Sequence, residues 1–405
     1  MASSLFIMEG YWMQKILLDV ALILIATRVG GMISHKFKMP EVLGALVAGI
    51  VLGPSVFNLV QYNEGIELLS NLGVIFLMFL AGLETDLDKL KKAGISSLMI
   101  GSMGILVPLI LGTLGAFLFF SNTMENLFLG VILTATSVSI TVETLTELGK
   151  LNSAAGINIL GAAVIDDVLG LLLVSILLAM NGNSGGGSVS ETIIKIALFL
   201  IVSLSAVVFL PKILNRLDID LKPGKSMLTF TIAVILIIAF ISENLGIAAI
   251  TGSYLCGVLF SQLKHRDYIS RKIRVISSGF LSPIFFASVG LEVSFSGFTM
   301  RTFEITLMMF VIAVIGKVVG CGGSARMFKM KRSEALQIGT GMISRGEVAI
   351  ITANIGLQNH IISQEIFMPT LLVVLLTTVA APIFLKLVFS HQLDENIDQE
   401  GRADG

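Results

Sequence analysis

Apolar residues in this chain come in runs of about twenty, the length at which a helix crosses the hydrocarbon core of a bilayer, separated by short polar stretches. Reading these runs in order predicts thirteen spanning helices, at 15–34, 41–59, 68–83, 94–120, 126–146, 154–180, 191–210, 225–241, 246–261, 272–291, 303–328, 333–355 and 366–389. The predicted class is therefore an all-α polytopic membrane protein. Before Lys15 there is neither a basic stretch nor a small-residue cleavage pattern, so the first run reads as a retained span and not as a signal peptide. Residues 390–405 read as a short acidic tail on the cytoplasmic side, disordered from Asp394 to Gly405.

Charge adds orientation. Of the 27 Lys and Arg residues, nineteen fall in or beside the loops that follow the odd-numbered spans up to the eleventh, from Lys36 and Lys38 to Arg326, Lys329, Lys331 and Arg332. The opposite loops hold essentially Arg301, with Lys15 and Lys195 at span edges. The excess of basic residues on cytoplasmic loops then places the N-terminus outside and the C-terminus inside. A net charge of -1 gives no basic footprint for nucleic acid. Cys256 and Cys321 lie within spans and argue against a disulfide framework. His35, His265, His360 and His391 lie near span ends or in loops and read as solvated residues, and no dinucleotide-binding fingerprint is present, so no cofactor is expected.

The chain also repeats itself. Leu43-Gly44-Ala45 through Gly49 recurs as Thr251-Gly252-Ser253 through Gly257, and Ala81-Gly82-Leu83-Glu84 recurs as Val289-Gly290-Leu291-Glu292, both at an offset of 208 residues. That offset is seven spans, an odd number, so corresponding spans cross in opposite directions. An inverted repeat is the plan of many secondary transporters, with substrate bound near the midplane at discontinuous helices. The offset pairs the fifth span with the twelfth and lays the polar interruption Thr134–Ser139 on Met342–Glu347. Broken backbone at that depth is tolerable only where it lines a cavity or is buried in protein.

The repeat fails at the ionisable residues. Asp166 and Asp167, in the middle of the sixth span, fall on Val374 and Leu375, while Lys317 of the eleventh span falls on Leu109. Charge at that depth is costly, about 2.5–3.5 kcal/mol per residue on insertion scales, and marks function by default. Successive helical positions point about 100 degrees apart, so the two carboxylates face different surroundings. One can face an aqueous cavity and the other a protein partner. Carboxylates, hydroxyls and carbonyls such as those around Thr136, Ser137 and Ser139 suit a small hard cation. Burial and mutual repulsion raise the proton affinity of at least one carboxylate, so cation and proton compete for it. Lys317 is too central to reach an interface and needs a counter-ion from the aspartate pair; it serves either as a second proton carrier or as half of a structural ion pair. Glu143, Arg345 and Glu347 read as charges compensating the exposed backbone ends where the fifth and twelfth spans break. Glu84 and Glu292 read as interfacial or capping residues.

Three stretches carry a family signature: Gly44-Ala-Leu-Val-Ala-Gly-Ile-Val-Leu-Gly-Pro-Ser55, Phe79-Leu-Ala-Gly-Leu-Glu-Thr-Asp86 and Gly161-Ala-Ala-Val-Ile-Asp-Asp-Val-Leu-Gly170. They resemble the monovalent cation:proton antiporter-2 family, especially its bacterial Na⁺/H⁺ antiporters, and the likeness runs through essentially the whole chain. The resemblance implies the Na⁺/H⁺ antiporter fold with two crossed, broken helices. It implies a mobile core at about 94–180 and 303–389 and a dimerisation scaffold at about 15–83 and 225–291, with 191–210 as the linker helix. It further implies that Asp167 is the principal cation and proton carrier, that Asp166 pairs with Lys317, that Thr136 sits at the broken segment, and that exchange is electrogenic. Residence in the bacterial inner membrane as a homodimer follows from the same likeness. Na⁺ or Li⁺ is the expected cargo, bound at Asp167 and Asp166. K⁺/H⁺ exchange is the alternative within the family, and the potassium-efflux relatives usually carry a cytosolic nucleotide-binding domain that is missing here. An intramembrane aspartyl protease would need its two aspartates on different helices. A cation channel would need a filter of repeated carbonyls or acid rings, and no repeated filter motif is visible.

Overall fold

The computed structural model describes residues 2–180, 190–199, 201–202, 205, 225–292 and 298–403, with side chains described for these except 2–13, 179, 225, 347 and 391–403. Fifteen helices follow one another along the described residues: α1 (Ala2–Lys36), α2 (Glu41–Leu52), α3 (Glu64–Glu84), α4 (Leu87–Ala116), α5 (Thr123–Ile132), α6 (Val138–Glu147), α7 (Ala154–Met180) and α8 (190–199). Then come α9 (Lys225–Asn244), α10 (Ala249–Phe260), α11 (Arg266–Leu291), α12 (Met300–Met327), α13 (Arg332–Gly341), α14 (Glu347–Gln358) and α15 (Gln364–Ala403). Eight of them are long and apolar enough to cross a membrane, and four are shorter apolar helices. The chain is thus a multi-pass integral membrane protein. Of the expected linker span 191–210, residues 200, 203–204 and 206–210 lie outside the described residues, as do Lys212, Arg216 and Lys222.

Local chemistry sets the helix ends. Asn63 accepts from the Gly65 and Ile66 amides at 3.1 Å each to start α3, and Asp86 does the same for Asp88 and Lys89 at the start of α4. The expected span 41–59 is shorter as observed. Gly53 and Pro54 end α2 at Leu52, because proline disfavours helical backbone in the residue before it. With twelve residues, α2 and α10 are each about 18 Å long. The tail also departs from expectation: the backbone of α15 continues as helix to Ala403, since no proline follows Pro382 to stop propagation.

Two close helix crossings show the repeat in three dimensions. In one, Gly257 of α10 lies against the Phe79 carbonyl of α3, and Gly82 of α3 lies against the Tyr254 carbonyl. In the other, Gly49 of α2 lies against the Ala287 carbonyl of α11, and Gly290 of α11 against the Leu46 carbonyl. All four residues of the second crossing map on the first by the offset of 208. Small residues allow such backbone approach between helices in lipid. A Gly257→Val variant is expected to melt at lower temperature in mild detergent, because a Cβ overlaps the Phe79 carbonyl oxygen and overpacking costs about 1–3 kcal/mol or more. Gly49→Val, its repeat mate, should lose comparable stability.

Packing falls into two groups of helices. α1–α3 and α9–α11 pack chiefly on one another, with Ile23, Leu52, Ile66, Ile284 and Leu291 forming one buried apolar cluster. α4–α7 and α12–α15 form the second group, with Phe128, Leu129, Ile132, Met309, Ala313 and Ile366 at its centre. Contacts between the groups run chiefly through α3 with α6 and through α2 with α6 and α15, and α7 meets α10 where Thr251 bonds Asp167.

Candidate ion site at two broken helices

The fifth and twelfth runs are each split, into α5 and α6 around residues 133–137 and into α13 and α14 around residues 342–346. The two breaks touch: the Ser137 amide donates to the Ser344 carbonyl at 2.8 Å, and Gly346 lies against the Ser137 side chain with no room for a Cβ. Thr136, Ser137 and Ser139 are all buried here. The Ser137 and Ser139 hydroxyls bond each other at 3.2 Å, and Thr136 donates to the Thr134 carbonyl at 3.4 Å.

Helix ends that stop inside the protein leave carbonyls without helical partners. Arg345, 1% exposed, reaches several of them. Its guanidinium donates to Ile343 at 2.9 Å, to Met342 at 3.3 Å, to Leu133 at the end of α5 at 2.7 Å, and to Ala313 of α12 at 3.4 Å. Its own backbone is clasped by α15: the Arg345 amide donates to the Thr377 hydroxyl at 3.1 Å, and the Thr378 hydroxyl donates to the Arg345 carbonyl at 2.8 Å. One positive side chain thus meets the negative ends of α5 and α13 together. Glu143 lies elsewhere. It sits within α6, and the charges around it are Glu147 at the end of α6, Arg274 of α11, Glu84 at the end of α3 and Glu41 at the start of α2. Glu84 in turn pairs with Arg274. Glu347 opens α14, and its side chain lies outside the described ones.

Beside the crossing, α7 packs on α4, α5 and α6 and carries the two aspartates at mid-length. Asp166 is 3% exposed and accepts from the fully buried Lys317 of α12 at 2.9 Å. Small residues make room for this pair. Gly104 of α4 lies against the Cys321 side chain one turn beyond Lys317, where a Cβ would stand 2.5 Å from Sγ, and Gly316 packs on Pro108. Directly after Lys317, α12 widens into a π turn at Val318–Gly322, a feature that recurs at functional sites. Asp167 points differently. It is half-buried and accepts a hydrogen bond from the Thr251 hydroxyl of α10, a helix of the other group.

Thr251 entered the sequence reading only as part of a repeated motif. The available signal was a polar residue where the repeat mate, Leu43, is apolar. Asp19 of α1 is also buried, at 1% exposure, with Asn63 donating to it at 3.4 Å. α1 packs on α2, α3 and α11, whereas α7 packs on α4–α6 and α13, so Asp19 and Asp167 do not form the facing pair a protease needs.

Comparison with known proteins agrees with this architecture. The family model described as "Sodium/hydrogen exchanger, transmembrane" matches residues 21–391. The chain is 36% identical to the Na(+)/H(+)-K(+) antiporter GerN of Bacillus cereus, over 92% of this chain and 95% of that protein. It is 35% identical to the Na(+)/H(+) antiporter of Enterococcus hirae, over 91% and 96% respectively. The sodium proton antiporter MjNhaP1 of Methanocaldococcus jannaschii has the same fold, with a TM-score of 0.70 over 94% of this chain and 98% of that one at 17% identity. A family model covering nearly the whole chain, and relatives aligned along nearly their full length, lead to one conclusion: the chain belongs to the sodium/hydrogen exchanger family, a membrane antiporter and not an enzyme.

Proposed function

We propose that the protein expels cytoplasmic Na⁺, or Li⁺ in its place, in exchange for external H⁺, by alternating access around Asp167. The observation that carries this reading is the unequal environment of two neighbouring carboxylates. Asp166 forms a fully buried ion pair with Lys317, while half-buried Asp167 turns to the Thr251 hydroxyl of the other helix group. Deprotonated Asp167, with Asp166 beside it and the carbonyls and hydroxyls of Thr136, Ser137 and Ser139 at the break, offers hard oxygen ligands to a small cation. Protonated Asp167 does not. Cation and proton then exclude each other at one group, and that exclusion couples their opposite movements.

In this reading the chain crosses the bacterial inner membrane thirteen times, with the N-terminus outside. α4–α7 and α12–α15 form the mobile core, α1–α3 and α9–α11 the scaffold, and α8 the linker. Arg345, with Glu347 at the start of α14, steadies the charges of the broken helices. The sides of α1 and α9 that carry Leu17, Ile25, Val29, Phe230, Ile237 and Phe240 are exposed, and these two helices, mates under the repeat, give the scaffold its homodimer contact. One relative is named for K⁺ as well as Na⁺, which makes K⁺ the second cargo to test. Reconstituted in liposomes under an imposed pH gradient, the protein should dissipate that gradient on addition of Na⁺ or Li⁺. If Na⁺, Li⁺ and K⁺ each leave the gradient standing, the assignment is wrong; a response to K⁺ alone reassigns the cargo.

A further inference from the structure

An exchanger must not let its core cross empty. If the unloaded core returned freely, each gradient would run down without driving the other. The deprotonated, unloaded carboxylate is therefore the state that has to be held, and something on the scaffold has to hold it.

Thr251 is placed for that task. It lies in the first turn of α10 and is 2% exposed. Its hydroxyl donates across the boundary between the two helix groups to Asp167. The helix beneath it is firmly seated, because Gly257 and Gly82 bring the backbones of α10 and α3 into direct contact. A hydroxyl–carboxylate bond is charge-assisted and roughly twice as strong as a neutral one. It is also conditional: a cation or a proton on Asp167 takes the charge that makes the bond strong.

The internal repeat supplies an independent observation. Under the offset of 208, Asp167 falls on Leu375 and Thr251 on Leu43. At the mate position Leu375 of α15 packs with Leu46 of α2, an apolar contact across the same boundary. Of the two repeat-related position pairs, one is leucine at both places, Leu43 and Leu375, and the other is acid and hydroxyl, Asp167 and Thr251. The hydroxyl occurs where the carboxylate occurs, as expected of two groups that work on each other.

We propose that Thr251 is a positioning residue of the antiport cycle: its hydroxyl holds unloaded Asp167 against the scaffold, and loading with cation or proton releases the core. This rests on the antiport reading above. The inference goes beyond site composition, since it assigns the scaffold a part in coupling.

The test compares wild type, Thr251→Val and Thr251→Ser in liposomes, after confirming by melting that each folds. Valine keeps the shape and removes the donor, so Na⁺ no longer displaces a hydroxyl. The apparent KM for Na⁺ is expected to fall by about tenfold, the smaller end of what a hydrogen bond to a charged group is worth, without a matching rise in kcat. With no transported cation present and a permeant anion carrying the compensating charge, Thr251→Val should leak protons that the wild type retains. Serine should restore both properties. A folded Thr251→Val protein with wild-type KM and no leak overturns the proposal. So does a serine variant as altered as the valine one, which would assign Thr251 to packing. Should valine fail to fold, Thr251→Ala is read in the same way. If the wild type itself moves no cation, it is the antiport reading that fails, and this result is separate from the others.

Discussion

Asp167→Asn is expected to fold, insert and exchange no cation for protons. Asparagine has the shape of aspartate, and its carbonyl oxygen can still accept from the Thr251 hydroxyl, which donates to Asp167 in the structure. Asp167 is half-buried, so replacing it disturbs little packing. What is lost is the negative charge that both cargoes need. A neutral amide neither titrates in the working pH range nor offers an anionic ligand, and competition between Na⁺ and H⁺ disappears with it. The measurement is Na⁺-driven proton movement in liposomes, alongside a melting curve in detergent. A folded Asp167→Asn protein that exchanges at the wild-type rate would sink the mechanism, because the two cargoes are proposed to compete for this carboxylate.

The contrast between the two aspartates shows how far sequence reached. A pair of acids in an apolar run announces a site without any structure, since no packing role needs two adjacent charges at that depth. Helical periodicity says they diverge, yet it cannot say which one meets Lys317; that choice depends on how α4, α7 and α12 pack, through Gly104, Gly316 and Pro108. The breaks at 133–137 and 342–346 were legible because polar residues interrupt both runs at one offset. Arg345 was legible as a charge at the break, but its four carbonyl partners come from α5, α12 and the α13–α14 junction and belong to tertiary structure. Glu143 misleads for the same reason: closeness in sequence to the break did not make it a neighbour of the exposed helix ends. The shortness of α2 could have been read from Gly53-Pro54, where apolar content alone extended the span to residue 59. Thr251 left one signal, a hydroxyl where its repeat mate Leu43 is apolar, but nothing in the sequence says which carboxylate that hydroxyl faces.

Lys317→Gln is expected to keep exchange and lose its electrical signature. In the wild type, consider the core with Na⁺ bound between two ionised aspartates and Lys317 deprotonated, then with Na⁺ gone, Asp167 protonated and Lys317 charged. Two protons have replaced one Na⁺, so the two crossings differ by one charge and a membrane potential drives the cycle. Glutamine can still donate a hydrogen bond to Asp166, but it cannot give up a proton. Exchange through Asp167 then becomes one for one. Current after a Na⁺ jump should vanish while a pH-sensitive dye still reports exchange. If Lys317 only steadies Asp166, the charge moved per Na⁺ stays the same in an active Lys317→Gln protein, and the lysine is structural. Stability separates the two roles further. Lys317→Met leaves Asp166 in its buried site without a donor, and breaking a buried ion pair from one side costs about 3–5 kcal/mol, so this variant should melt far below Lys317→Gln. A site that a neutral donor can hold together does not need a fully buried lysine for structure, and this favours proton carriage as the reason for its charge.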